Sequence, residues 1–271
     1  MKIKRGLHLA LTLTFSSLLL VMLAGCSKTK KTQPAKKVVK TEFVSKAKST
    51  LPAGQNGQTI KLTSSQGTQI LTATSLFGGK PTVVHVASQY KTASKKQLME
   101  MWLSGQQLYL HGQTDWYKTQ PSTILAAEPA TFTAALQSND LIKNLTKAEI
   151  KQAKLKQDDK LASLSYDSKA NQSLAKDAAQ EIIAAYPAAS NQQKYFNQVL
   201  DQAQFGQVQL FETINKKSGQ IKRLTVKTQL TVQKQLTVKL SLTYQAVPRQ
   251  AMLQLPIQLN DAKPLPKKST K

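Results

Sequence analysis

The sequence predicts an α+β fold: an antiparallel sheet with one apolar face, covered by helices. Three observations predict it. Residues 208–244 alternate: Val208, Leu210 and Ile214, then Leu224, Val226, Leu230 and Val232, then Leu236, Val238, Leu240, Leu242 and Tyr244, with mostly polar residues between. Alternation at period two marks strands with one buried and one wet face. Residues 82–119 fall into short runs separated by Gly105 and Gly112, the spacing of a meander. Residues 173–186 instead carry Leu174, Ala178, Ile182 and Ala185 at the helical period and stop at Pro187. A sheet with one apolar face needs a layer over that face.

Each element follows in turn. Val38, Val39, Phe43, Val44 and Ala47 predict a short helix over about 36–50, stopped by Leu51-Pro52-Ala53-Gly54. From Gln58 the period changes to two, with Ile60, Leu62 and Ile70 apolar. Gly78-Gly79-Lys80-Pro81 is a turn. Strands are expected at 82–90, 97–103, 107–111 and 115–119. Residues 122–157 suit helical segments broken near Pro129 and Asn139-Asp140. Residues 162–166 read as a short strand and 191–204 as a second helix. The expected organisation is one β-rich domain over 41–262, with helices near 122–157 and 173–204, and a disordered tail over 263–271.

Ahead of the domain, Lys2, Lys4 and Arg5 precede an uncharged apolar run that closes at Leu23-Ala24-Gly25-Cys26. A basic start, an apolar run and small terminal residues make a secretory signal. The run is slightly short for a membrane span. It resembles the bacterial lipoprotein signal, a lipobox. The resemblance implies cleavage between Gly25 and Cys26 and lipidation of the Cys26 thiol, with palmitate among the acyl chains. Cys26 is the chain's only cysteine, so no second thiol diverts it into a disulfide. The alternative is an uncleaved helical anchor. Both readings place the protein at the outer face of the cytoplasmic membrane. Residues 26–40 are Lys-rich and poor in apolar residues, and are expected to be a flexible tether.

The chain carries 38 Lys and Arg against 14 Asp and Glu, a net charge of +24. That balance suggests an anionic partner: lipid head groups or an anionic cell-wall polymer. Export argues against nucleic acid. Beyond the leader, Arg223 and Arg249 are the only arginines. Bidentate phosphate recognition favours Arg, so the charge reads as diffuse. A merely solvating surface explains it equally.

No stretch reads as catalytic, and no cofactor is expected. His85 and His111 lie in separate predicted strands without metal-ligand spacing, whereas zinc needs three or four ligands. Asp158-Asp159 sits among lysines and reads as a solvated turn. Glu100, His111 and Asp115 could converge in the meander by chance. An exported hydrolase would need a cleft with His85 or His111 beside a carboxylate. The richest apolar group is Met99, Met101, Trp102, Tyr109 and Trp116, with Tyr117 beside it. Met and aromatic side chains suit an adaptable pocket, and equally an ordinary core.

With its lipobox, its Lys-rich tether and the hairpin Met99-Glu100-Met101-Trp102 to Trp116-Tyr117-Lys118, the chain resembles uncharacterised Gram-positive surface lipoproteins. That family is similar in architecture to the LolA/LppX-type lipoprotein carriers. The resemblance implies a curved, unclosed antiparallel barrel wrapped over helices, with lipid held between sheet and helices. It transfers no ligand residues. The expected function is therefore non-catalytic binding or carriage of a hydrophobic or amphipathic envelope molecule. The alternative is a basic envelope protein that binds anionic wall polymer or head groups.

Overall fold

The computed structural model describes residues 37–247 and 253–266. Helix α1 (Lys40–Lys46) leads into β1 (Gly54–Ser64), β2 (Gly67–Gly78), β3 (Val83–Lys91), β4 (Lys96–Ser104), β5 (Gln107–His111) and β6 (Trp116–Thr119). Then come α2 (Pro129–Gln137), α3 (Lys147–Gln152), β7 (Lys154–Gln157), β8 (Leu161–Ser168), α4 (Gln172–Ala184) and α5 (Ser190–Asp201). Strands β9 (Ala203–Asn215), β10 (Ile221–Val232) and β11 (Leu236–Ala246) follow. A short 3-10 helix (Ile257–Asp261) and β12 (Lys263–Pro264) end the described chain.

The strands form one 12-stranded sheet, in the order β12-β6-β5-β4-β3-β2-β1-β11-β10-β9-β8-β7. The order runs from edge to edge without returning, so the sheet is unclosed, and it is curved. Pairing is antiparallel except for β12 beside β6. The N-terminal meander joins the C-terminal strands through β1 and β11, from Gly54 opposite Ala246 to Thr63 opposite Thr237. The α+β class with helices over one apolar sheet face is as the sequence predicts, and the unclosed, curved sheet is as the resemblance implies.

Alternation divides the sheet into a covered and a bare face. On β10, Leu224, Val226, Leu230 and Val232 are buried, while Arg223 and Lys227 are exposed. On β11, Val238, Leu240, Leu242 and Tyr244 are buried, while Lys239 and Thr243 are exposed. Helix α4 lies over β9, β10 and β11. Its Leu174, Ala178, Ile182 and Ile183 are buried, and its N-terminus is capped by Asn171 Oδ1, which accepts from the Leu174 N–H at 3.0 Å. Phe132 and Leu136 of α2 are buried in the same core. Among the described residues no helix is long and apolar enough to cross a membrane.

Two glycines permit close contacts. A Cβ on Gly54 would run into the Tyr244 ring, and the Tyr244 hydroxyl donates to the Ala53 carbonyl at 2.9 Å. Gly219, at φ +69°, lets the β9–β10 turn approach the Lys46 carbonyl at the end of α1.

The structure corrects several boundaries. The first helix covers only 40–46, not 36–50. Val38 is buried, and its amide and carbonyl are both bonded by the Gln157 side chain at 2.9 and 3.0 Å. The last residues of the expected tether are therefore fastened to β7; residues 26–36 lie outside the described residues. Lys263 and Pro264 of the expected tail pair with Tyr117 and Lys118 at the sheet edge. The Leu265 N–H donates to the Lys118 carbonyl at 3.0 Å. Strand β7 falls where the sequence suggests helix.

Candidate functional site

The lipidation and cleavage positions, Cys26 and Gly25, lie outside the described residues. The expected apolar group does not come together. Met101 faces the core, fully buried between Val86 of β3 and Leu110 of β5. Met99, two residues earlier on the same face, packs half-buried against that core. Trp102 points the other way, opposite His85 and Tyr109, and Trp116 lies opposite His111 on the same bare face. A strand sends neighbouring side chains to opposite faces, so Met99 and Met101 cannot share a pocket with Trp102, Tyr109 and Trp116.

The bare face has its own cluster. Glu100 accepts from His85 Nε2 at 2.9 Å and from His111 Nδ1 at 3.2 Å. His85 lies against the Trp102 ring at 4.4 Å between centroids, and His111 stacks on Trp116 at 4.6 Å. Cross-strand pairing of β3, β4, β5 and β6 assembles it. Asp115 stands apart, paired with Lys263 at 3.0 Å, and that hydrogen bond holds its carboxyl below the ordinary range. An open depression of about 490 Å³ adjoins the cluster, lined in part by Thr72, Ala87, Leu98, Glu100 and His111. The carboxylate that a hydrolase would need is thus present, but each of its oxygens is engaged by an imidazole that packs on an indole. The arrangement ties four strands together. Among the described residues no group of three or more His, Cys, Asp or Glu is disposed to hold a metal.

A second set of polar residues lies under the helices. The register aligns Ser75 of β2 and Asn56 of β1 in one row with Glu212 of β9. All three are buried, as is Gln58 two residues after Asn56. Asn56 donates to the Leu136 carbonyl at 3.2 Å, Gln58 to the Ala185 carbonyl, and Asn139 to Glu212 Oε2 at 2.7 Å. These bonds fix the ends of α2 and α4 to the sheet. The opposite atoms, Asn56 Oδ1, Gln58 Oε1, Glu212 Oε1 and Asn139 Oδ1, have no partner, nor do Ser75 Oγ and Glu181 Oε1. Burial pushes the Glu212 carboxyl up to about 7, against the pull of the Asn139 bond and the Lys143 charge. It pushes Glu181 up to about 8, aided by the charges of Asp140, Glu212 and Asp177. An unpartnered buried polar atom costs about 1–3 kcal/mol, so this seam is out of character with the core around it.

The acidic pair Asp158-Asp159 behaves as a turn. Asp158 Oδ1 accepts from the Lys160 and Leu161 amides at 2.8 and 2.7 Å, and those bonds lower its pKa.

A family model described as a family of unknown function (DUF6612) matches residues 29–247. No curated protein matches the chain in sequence. Among solved structures, the crystal structure of LprF from Mycobacterium bovis is similar, at 11% identity and a TM-score of 0.36, over 81% of this chain and 92% of that one.

Proposed function

We propose the following function for the chain, which belongs to the DUF6612 family of unknown function: it is a lipid-anchored, non-catalytic protein of the outer face of the cytoplasmic membrane that binds a hydrophobic or amphipathic envelope molecule. The anchor rests on Leu23-Ala24-Gly25-Cys26 behind its basic, apolar leader; two acyl chains hold a protein stably where one is marginal. Cys26→Ser removes the thiol that forms the thioether, and metabolic labelling with palmitate should then be lost. Undiminished labelling would show the anchor assignment to be wrong.

The polar seam under the helices carries the ligand assignment. Asn56, Gln58, Ser75, Glu181 and Glu212 present unpartnered polar atoms inside an apolar layer. A molecule entering between sheet and helices meets these atoms with its polar head and the surrounding side chains with its apolar part. The side-chain bonds that parting α2 or α4 from the sheet would break are those from Asn56, Gln58, Asn139 and Thr228. Native mass spectrometry of the full chain, extracted in mild detergent, separates a non-covalent adduct from the covalent acyl groups at Cys26. A lipid-sized adduct that weakens in Asn56→Leu supports the reading. A chain that never carries an adduct, even after incubation with envelope lipid extract, removes it.

A further inference from the structure

We propose that the bare face of the sheet is a docking surface for a linear polyol-phosphate polymer, held along a row of lysines that crosses the strands. The assignment concerns the opposite side of the sheet from the proposed lipid site, so the two stand or fall separately.

The register builds the row. Lys239 of β11 lies opposite Lys61 of β1, which lies opposite Ile70 of β2; Ile70 lies opposite Lys91 of β3, and Lys91 opposite Lys96 of β4. Neighbouring strands sit about 4.8 Å apart, so the row runs roughly 19 Å. These lysines are exposed. Lys227 of β10 joins them from the next row, opposite Ser241.

Stability does not account for this pattern. Like charges directly opposite across a strand pair are unfavourable, and the row contains two such pairs, Lys61 with Lys239 and Lys91 with Lys96. Among the described residues the row itself holds no carboxylate. On this face Asp167 stands two strands from Lys227, across Gln209, and Glu100 lies four residues beyond Lys96, bonded to His85 and His111. A polyanion laid along the row removes the repulsion.

The groups beside the lysines select the chemistry. An open depression of about 350 Å³ is lined by Lys61, Lys227 and Lys239 together with Thr59, Gln209 and Gln229. Ammonium groups meet phosphates as point charges; the hydroxyls and amides suit the hydroxyls of a polyol between phosphates. The row is a line of charges with Ile70 its one apolar member, the arrangement a linear polyanion matches. A wall polymer of repeating polyol phosphates fits this better than a bilayer surface.

The test uses the full chain and purified poly(glycerol phosphate). Affinity should fall steeply with salt, as expected when several phosphates each release counterions. The variant Lys61→Gln/Lys227→Gln/Lys239→Gln should lose about tenfold or more in affinity. A charge-matched control, Lys147→Gln/Lys169→Gln/Lys176→Gln, alters exposed lysines near or on α3 and α4 and should stay within about twofold. Circular dichroism melts of both variants confirm that each folds. Equal losses in the two variants, salt-insensitive binding or no binding would overturn the proposal. So would a row variant that loses binding to phosphatidylglycerol vesicles while polymer binding is unchanged.

Discussion

One sheet presents two faces of opposite character. On the covered face, α4 lies over β9–β11 and β8 meets α1 and α3, and apolar side chains of sheet and helices share one core in which Phe77, Phe132, Leu136, Met101 and Ile182 are almost wholly buried. Polar atoms there are few and badly served. On the bare face stand exposed lysines, with amides, hydroxyls and the Glu100 cluster between them. The proposed binding chemistry of this chain sits where packing is least satisfied: in the half-partnered seam on one side and the repelling lysine row on the other. Stability lives in the rest of the covered face.

The largest effect that separates the faces is a core truncation. Phe132→Ala, which leaves a cavity under α2 beside residues already fully buried, should cost about 3–5 kcal/mol in denaturant unfolding. Phe211→Ala on the bare face, at 39% exposure, should cost less than about 1 kcal/mol. Equal costs would break the distinction between faces.

The next effect is a pH dependence. The Glu181 and Glu212 carboxyls sit at about 8 and about 7 in the folded chain, above the ordinary 4.5. Over that window the folded chain holds protons the unfolded chain has released, so stability falls as pH rises from about 4.5 to 8. The loss is on the order of a few kcal/mol for each carboxyl, since a tenfold difference in proton affinity between the folded and unfolded chain corresponds to about 1.4 kcal/mol. Thermal melts from pH 5 to 8 should show it, and Glu181→Gln/Glu212→Gln should flatten the profile. A double variant with an unchanged slope would place the titration elsewhere.

A smaller effect belongs to the bare-face cluster. Glu100→Gln weakens two bonds that link β3, β4 and β5 and should cost about 1 kcal/mol, read as a lowered midpoint with an unchanged denaturant slope. A midpoint that did not move would mean that the stacked rings, not the carboxylate, hold these strands.

Much of this is legible in the sequence, and the reasons are local. Strands β10 and β11 alternate cleanly because every second residue faces the same core. Helix α4 shows its period because one stripe of it is buried. Strand β7, Lys-Leu-Lys-Gln, carries no such signature; its strand character comes from pairing with β8. The tail reads as disordered because Lys263 and Pro264 gain their place from Tyr117 and Lys118, far away in sequence. The split of Met101 from Trp102 is readable from parity alone, as is the burial of Gln58, in phase with Ile60 and Leu62. The Glu100 cluster and the lysine row are not readable, because each needs the register of strands that local pattern leaves open. Lys61 meets Lys239 only through the long-range pairing of β1 with β11.

The smallest expected effect is the one that tests whether the bare face gives up stability for binding. Lys61→Gln removes one of two ammonium groups set directly opposite each other while keeping a strand-compatible, polar side chain. If the pair is unfavourable in the unliganded protein, the variant should be more stable by about 0.2–1 kcal/mol in low salt. The gain should shrink in about 0.5 M salt, where the Debye length is only a few ångström. A matching Lys176→Gln change on α4, whose lysine makes no such cross-strand pair, should shift the midpoint by less than about 0.5 kcal/mol in either salt. Destabilisation by Lys61→Gln would mean that the lysine stem packs usefully across the sheet, and the row would then need no ligand to explain it. Stabilisation that disappears with salt would leave a charge arrangement that weakens the fold on its own account, and an anionic partner laid along the row is what would offset it.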